Sequence, residues 1–293
     1  MTRADPDLLA QLADLALEVA REAADLVRGR ARAGAVVAAT KSSAIDVVTE
    51  ADRASESLIR ARVAARRPDD AFLGEEGDDV EGTSGVRWIV DPIDGTVNFL
   101  YGIPQYAVSI AAEVDGEIAV GVVIDVAKQV EYVARPDAAT GALVAQRNGE
   151  PISVRGPAPL EQRLIGTGFS YLAETRALQG RALAALLPRV RDVRRLGSCA
   201  LDLCHVAEGL LDGYVEEGVH LWDHAAGALL ARAAGAQVDT GVGVGGGTLL
   251  LCAPSHGFTD LRQATREAGF WREYPAGRAC SWSPAGPLFP FPG

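Results

Sequence analysis

Apolar positions in the first thirty residues fall three or four apart. Leu8, Leu12, Leu15, Val19, Ala23, Leu26 and Val27 form one stripe, the period of a helix with a single buried face. The spacing predicts a helix over 7–28 that opens at Asp5-Pro6. A second helix is expected over about 50–66, where Thr49 and Asp52 stand three apart like a capping box with Asp in place of Glu. The pattern then changes to strand-like runs at 87–90, 106–114, 118–125 and 130–134. Asp115-Gly116 and Asn148-Gly149 are tight-hairpin dipeptides. Residues 85–155 therefore read as an antiparallel sheet behind two helices.

From about residue 160 strands and helices alternate. "RLIGTGFS" (163–170) reads as a strand and loop, 174–187 as a helix, and Ser198–Leu211 as another. "DGYVEEG" (212–218) is a short strand, Asp223–Ala234 a helix, and 248–253 a strand. Such alternation predicts layered α/β packing. The expected division is 1–155, 156–271, and a Pro- and Gly-rich tail, 272–293, that has no periodicity and reads as irregular. No internal repeat stands out.

The 293 residues suffice for one large domain or two halves, and 48% hydrophobic with 23% charged residues is ordinary for a globular chain. A net charge of -11 argues against a nucleic-acid or anionic-membrane surface and is compatible with cation binding. There is no apolar run of the roughly 18 residues a spanning helix needs. Asp5, Asp7, Asp14 and Glu18 interrupt the N-terminal stripe, unlike a signal peptide. The expected compartment is the cytoplasm. The four cysteines, Cys199, Cys204, Cys252 and Cys280, form no C-x-x-C pair and read as free thiols. Lys41 and Lys128 are the only lysines.

One stretch does not fit a purely structural reading. "WIVDPIDGTVNF" (88–99) ends an apolar run in Asp91 and Asp94, with Pro92 between and Gly95-Thr96 after. Asp, Pro and Gly are turn formers, so a plain turn is one reading. The other is a site for a hard cation, which takes carboxylate oxygens and keeps waters. Backbone amides at Gly95-Thr96 would add an anion site alongside, a combination that suits a phosphate ester. "LGEEG" (73–77) supplies Glu75 and Glu76, and "LWDHAAG" (221–227) puts Asp223 at a helix start. Singly, Asp223 is also readable as an N-cap and Glu75 as a solvated loop charge.

These motifs together resemble the inositol monophosphatase family of Mg²⁺-dependent, lithium-sensitive phosphatases. Trp88, Asp91, Pro92, Ile93, Asp94, Gly95, Thr96, Asn98 and Phe99 meet W-x-x-D-P-[IL]-D-G-[ST]-x-N-F. Trp222, Asp223, Ala225, Ala226 and Gly227 meet W-D-x-A-A-G, and Gly74-Glu75-Glu76 meets the upstream G-E-E. "KSSAIDVVTEAD" (41–52) is similar to K-x-x-x-x-D-x-V-T-x-x-D, with Lys41 and Asp46 as auxiliary candidates. The similarity runs from about residue 7 to 270.

The resemblance implies a layered α-β-α-β-α sandwich of the kind shared with sugar phosphatases. It implies that Glu75, Asp91 and the Ile93 carbonyl hold one Mg²⁺, that Asp91, Asp94 and Asp223 hold a second, and that a third, weaker ion sits near Glu75. Gly95 and Thr96 amides would bind phosphate, and Thr96, hydrogen-bonded to Asp52, would activate water together with Glu75. Gly197, Ser198 and Cys199 would face the sugar, and Glu216 would accept a ring hydroxyl; Cys199 replaces the commoner alanine. A homodimer is expected. Phosphate-monoester hydrolysis needs accelerations up to about 10²¹, and a metal pair serves both the attacking and the leaving oxygen.

The substrate reads as a phosphorylated polyol or sugar, with myo-inositol 1-phosphate first. Histidinol phosphate, fructose 1,6-bisphosphate and 3′-phosphoadenosine 5′-phosphate are rivals in the same family. A non-catalytic regulator is the alternative of another class. "GVGVGG" (241–246) matches G-x-G-x-x-G but leads into a strand, so a loop is the better reading than a dinucleotide site. His220 and His224 are four apart, but Leu221 stands where a zincin's glutamate belongs.

Overall fold

The structure, a computed structural model, describes residues 5–34, 37–40, 47–137 and 140–272. The chain opens with α1 (Pro6–Ala33), a strand pair β1 (Val37–Thr40) and β2 (Val47–Thr49), and α2 (Glu50–Arg66). Then come β3 (Ala71–Gly74), β4 (Val86–Asp94), α3 (Thr96–Tyr101), β5 (Ala107–Val114), β6 (Glu117–Asp125), β7 (Val130–Pro136), β8 (Leu143–Arg147) and β9 (Glu150–Pro151). The remainder comprises β10 (Leu164–Thr167), α4 (Ala173–Leu186), β11 (Asp192–Arg194), α5 (Cys199–Ala207), β12 (Gly213–Glu217), α6 (Leu221–Ala233), β13 (Ala236–Val242), β14 (Thr248–Pro254) and α7 (Phe258–Glu267).

Strands β3 to β9 form one sheet in sequence order, antiparallel except for the parallel β3–β4 edge. A second sheet has the order β11-β10-β12-β14-β13. Strand alternation decides what each face meets. On β4, Trp88 and Val90 join Leu12, Ala16, Val19 and Ala23 of α1, and Ile59 and Val63 of α2, in one core. Ile89, on the opposite face, joins Ala111, Val123 and Tyr132 against α5 and α6. The far side of α5 and α6 meets Tyr214, Leu250 and Cys252 of the second sheet. That sheet's other face, with Val215, Leu249 and Leu251, packs on Leu186 of α4 and on Leu261 and Ala264 of α7. The layers are therefore α, β, α, β, α, the sandwich the resemblance implied.

Several boundaries differ from the pattern reading. Helix α1 runs on through Gly29 to Ala33, and ends at Gly34, which takes the positive φ of 96°. Strand β4 does not stop at Val90; it carries its pairing through to Asp94 across a slip in register. Asp223 is not an N-cap: α6 starts two residues earlier, after His220. Helix α5 is shorter than 198–211, with Ser198 as its cap. The Asn148-Gly149 signal marks the β8–β9 hairpin, whereas β1, β2, β3, β11, β13 and α7 have no counterpart in the pattern reading. The tail beyond Arg272 and Cys280 lie outside the described residues; Cys199, Cys204 and Cys252 are free and buried. Among the described residues no helix is long and apolar enough to cross a membrane.

Candidate active site

The site begins where β4 loses its ladder. Pro92 has no N–H to give β5, and the register slips between Asp91 and Asp94. Asp91 Oδ1 accepts the Ile93 N–H at 3.0 Å, and Ser55 Oγ of α2 donates to the Pro92 carbonyl at 3.1 Å. Gly95 then turns at φ 94°, where a Cβ would lie 2.9 Å from the Gln105 carbonyl oxygen. Both the left-handed turn and the tight space require glycine there.

Just past the turn, Thr96 Oγ1 lies 3.0 Å from Asp52 Oδ1 and 3.0 Å from the Ile93 carbonyl. One hydroxyl proton serves one acceptor at a time. Donation to Asp52 leaves the Ile93 carbonyl available to a cation and a Thr96 lone pair available to water. Asp52 is fully buried, and burial raises its pKa. The Thr49 N–H, at 2.8 Å, and the Thr49 hydroxyl hold its other oxygen.

Asp94 connects the first sheet to α5. Its carboxylate accepts the Ser198 hydroxyl at 2.5 Å, the Ala200 N–H at 2.7 Å and the Cys199 N–H at 3.3 Å. Burial nevertheless pushes its pKa up to about 7. Asn98 makes a second connection, donating to the carbonyls of Gln105 and Leu196 at 2.8 Å each. It thereby holds the segment that leads into Gly197.

Glu75, Asp91, Asp94 and Asp223 line one cavity of about 340 Å³, with Thr96 and Gly197. Asp91 and Asp223 are held well above the usual carboxylate range, first by burial and then by repulsion from Glu75 and Asp94. The nearness of the Glu75 carboxyl adds to the rise at Asp91. Asp223, in the first turn of α6, accepts the His220 N–H at 2.6 Å. Among the described residues no three Asp, Glu, His or Cys side chains already close around one point. The donor chemistry fits a hard divalent ion all the same. The side chains offer oxygens only, Asp91 and Asp94 are buried, and the carboxylates repel one another, a cost that such an ion would remove.

Glu216 also lines the cavity, as do Gly95 and Cys199. The Tyr214 hydroxyl donates to Glu216 Oε2, and burial raises the Glu216 pKa. Ser198 does not face the cavity as expected. Its hydroxyl is spent on Asp94 and on capping the Leu201 N–H at 3.3 Å. Lys41 and Asp46 lie outside the described residues. Sequence reasoning did not single out Phe169, Tyr171, Leu172 and Arg195 of the cavity wall, nor foresee that His220 and the motif's Trp222 stack there with ring centroids 4.8 Å apart. Arg195 had one legible signal, its place two residues before Gly197. The "GVGVGG" stretch is the end of β13 and its turn into β14. Its Gly247 neighbour donates to the buried Glu217 carboxylate at 3.0 Å.

An acidic strand end facing an acidic first helical turn, set in alternating α and β layers, defines a class of metal-dependent phosphatases. The chain belongs to the inositol monophosphatase family, whose sequence profile matches residues 8–259; the family uses divalent metal. Inositol-1-monophosphatase SuhB of Mycobacterium tuberculosis is 47% identical over 278 residues, covering 89% of this chain and 94% of that protein. A Pseudomonas aeruginosa relative named Nus factor SuhB is 37% identical, covering 77% and 84%. The crystal structure of extragenic suppressor protein suhB from Bartonella henselae matches with a TM-score of 0.77 and 32% identity, covering 88% of this chain and 99% of that one.

Proposed function

We propose that the protein is a Mg²⁺-dependent phosphomonoesterase acting on myo-inositol 1-phosphate or a closely related polyol or sugar monophosphate. The observation that carries this reading is the meeting of four mutually repelling carboxylates, the buried Asp91 and Asp94 and the half-buried Glu75 and Asp223, with Thr96 and Glu216 around one cavity. Glu75, Asp91 and the Ile93 carbonyl would hold one ion, and Asp91, Asp94 and Asp223 another. Bound divalent ions supply charge stabilisation to the phosphoryl oxygens and acidify a water. Thr96, its own proton given to Asp52, orients that water through a lone pair, and Glu75 takes up the proton. The amides at Gly95 and Thr96 receive phosphate oxygens. Glu216, held by Tyr214, accepts a hydroxyl of the alcohol part, against Gly197 and Cys199. Inhibition by Li⁺, a homodimeric state and a cytoplasmic location belong to the same reading.

Phosphate release from a panel of inositol, histidinol, sugar and nucleotide phosphates, with Mg²⁺ and with chelator, tests the proposal. Mg²⁺-dependent turnover led by inositol 1-phosphate supports it. Turnover led by histidinol phosphate or fructose 1,6-bisphosphate would replace the substrate and keep the chemistry. No turnover of any ester with Mg²⁺ would favour a regulatory role, as the Pseudomonas relative's name suggests for that protein.

A further inference from the structure

Glu56 sits on α2 one turn after Asp52, its carboxylate buried beneath the segment 74–77 and only 3% exposed. Oε2 accepts the backbone N–H of Glu76 at 2.8 Å, and Oε1 accepts from the Arg60 guanidinium at 3.0 Å. Arg60 in turn lies over the Phe72 ring of β3, 4.2 Å from its centroid. The segment is shaped to receive this carboxylate. A Cβ on Gly74 would come 2.5 Å from Glu56 Oε2, and one on Gly77 2.7 Å from Oε1. Neither glycine has a positive φ, so it is room for Glu56 that these positions require. They bracket Glu75-Glu76.

The need for such a clamp follows from the electrostatics. Glu75 follows β3, the edge strand of its sheet, whose strand partner is β4. It is pressed against Asp91 and Asp223, which repel it. The bridge between Phe72 and Val80 pins the base of the loop but not its tip. A buried carboxylate is costly unless paired; Glu56 pairs one oxygen with this segment, at the Glu76 N–H, and the other with Arg60 of its own helix.

We propose that Glu56 is a positioning residue that fixes the 74–77 loop, so that Glu75 stays in the cavity beside Asp91 before any ion arrives. The inference rests on the reading of Glu75 as a metal ligand. Partners that orient a ligand typically change metal affinity by about 10- to 100-fold.

The test measures Mg²⁺ binding by titration calorimetry on the full chain, beside the half-activating Mg²⁺ concentration and kcat. Glu56→Ala is expected to weaken Mg²⁺ binding by about 10-fold or more, with a smaller change in kcat at saturating Mg²⁺. Glu56→Gln keeps an acceptor for the Glu76 amide and should recover most of the affinity. Should Glu56→Ala fail to fold, Gly77→Ala carries the test: it keeps the carboxylate but displaces it, and should weaken binding likewise. Wild-type Mg²⁺ affinity in these variants, with or without a loss of kcat or stability, overturns the inference. Glu75→Gln is the reference. If it weakens Mg²⁺ binding and the Glu56 and Gly77 variants do not, only the clamp is wrong. If Glu75→Gln itself binds Mg²⁺ normally, the ligand reading falls and the clamp with it.

Discussion

At the scale of single residues, Asp94 has two employments that pull in different directions. In the proposed ligand role it is needed charged. As the anchor of α5 it is buried among other acids with a pKa near 7, and an amide imitates its neutral form. Asp94→Asn keeps one oxygen for Ser198 and Ala200 while removing a repelling charge. The expected result is a variant that, in chelator near neutral pH, melts no lower than the native protein. It should gain no thermal stability from Mg²⁺ and lose most turnover. A strong Mg²⁺-induced rise in its melting temperature would count against a ligand role. Glu216 makes a separate prediction about substrate choice. A hydrogen bond to a charged acceptor contributes about 1.5–3 kcal/mol, roughly 10- to 150-fold in kcat/KM. Glu216→Ala should lose that factor on inositol 1-phosphate and much less on p-nitrophenyl phosphate, which has no hydroxyl to offer. Equal losses on both would show that Glu216 supports the cavity as a whole.

At the scale of elements, legibility followed the strength of the local signal. The start of helix α2 was readable because Thr49 and Asp52 cap each other. Strands β5 and β6 were readable because Asp115 and Gly116 both take positive φ in the turn between them. Strand β13 was not, since Gln237, Asp239 and Thr240 leave it half polar at a sheet edge. Nor was α7, whose few buried positions, Phe258, Leu261, Ala264 and Thr265, are outnumbered by charged and polar ones. The site divided in the same way. The motif acids were legible one by one. That Ser198 turns inward to Asp94, or that Glu56 lies under the 74–77 loop, depends on tertiary approach and leaves no periodic trace. The signature Trp88 is similar: its indole N–H donates to the buried Asp70 at 2.9 Å, tying β4 to the turn before β3. Trp88→Phe removes that donor, and urea unfolding should show a loss of about 1–3 kcal/mol. Turnover per folded molecule should be largely kept.

At the scale of the whole molecule, the acidic cavity makes stability depend on pH in an unusual sense. Asp91, Asp94 and Asp223 all have raised folded-state pKa values, caused first by burial. A carboxyl raised in this way holds its proton longer in the native than in the unfolded chain. Its contribution is therefore complete below the ordinary value of 3.8 and is lost as pH climbs through the folded value, about 7 for Asp94. In chelator, the melting temperature should fall between about pH 5 and about pH 8, and saturating Mg²⁺ should flatten that decline. A metal-free melting temperature that rises over the same interval would show that other groups dominate.

The helices α5 and α6 lie between the two sheets and are shared by both. Neither sheet then possesses a complete interior without them. A backbone cut in the loop near residue 155 would yield two fragments, each with one oily flank turned to water. The severed pieces should stay unstructured or aggregate when made separately and recover a native circular-dichroism spectrum when mixed. In the intact chain the same sharing predicts one cooperative calorimetric transition, because melting either sheet uncovers the packing surface of the other.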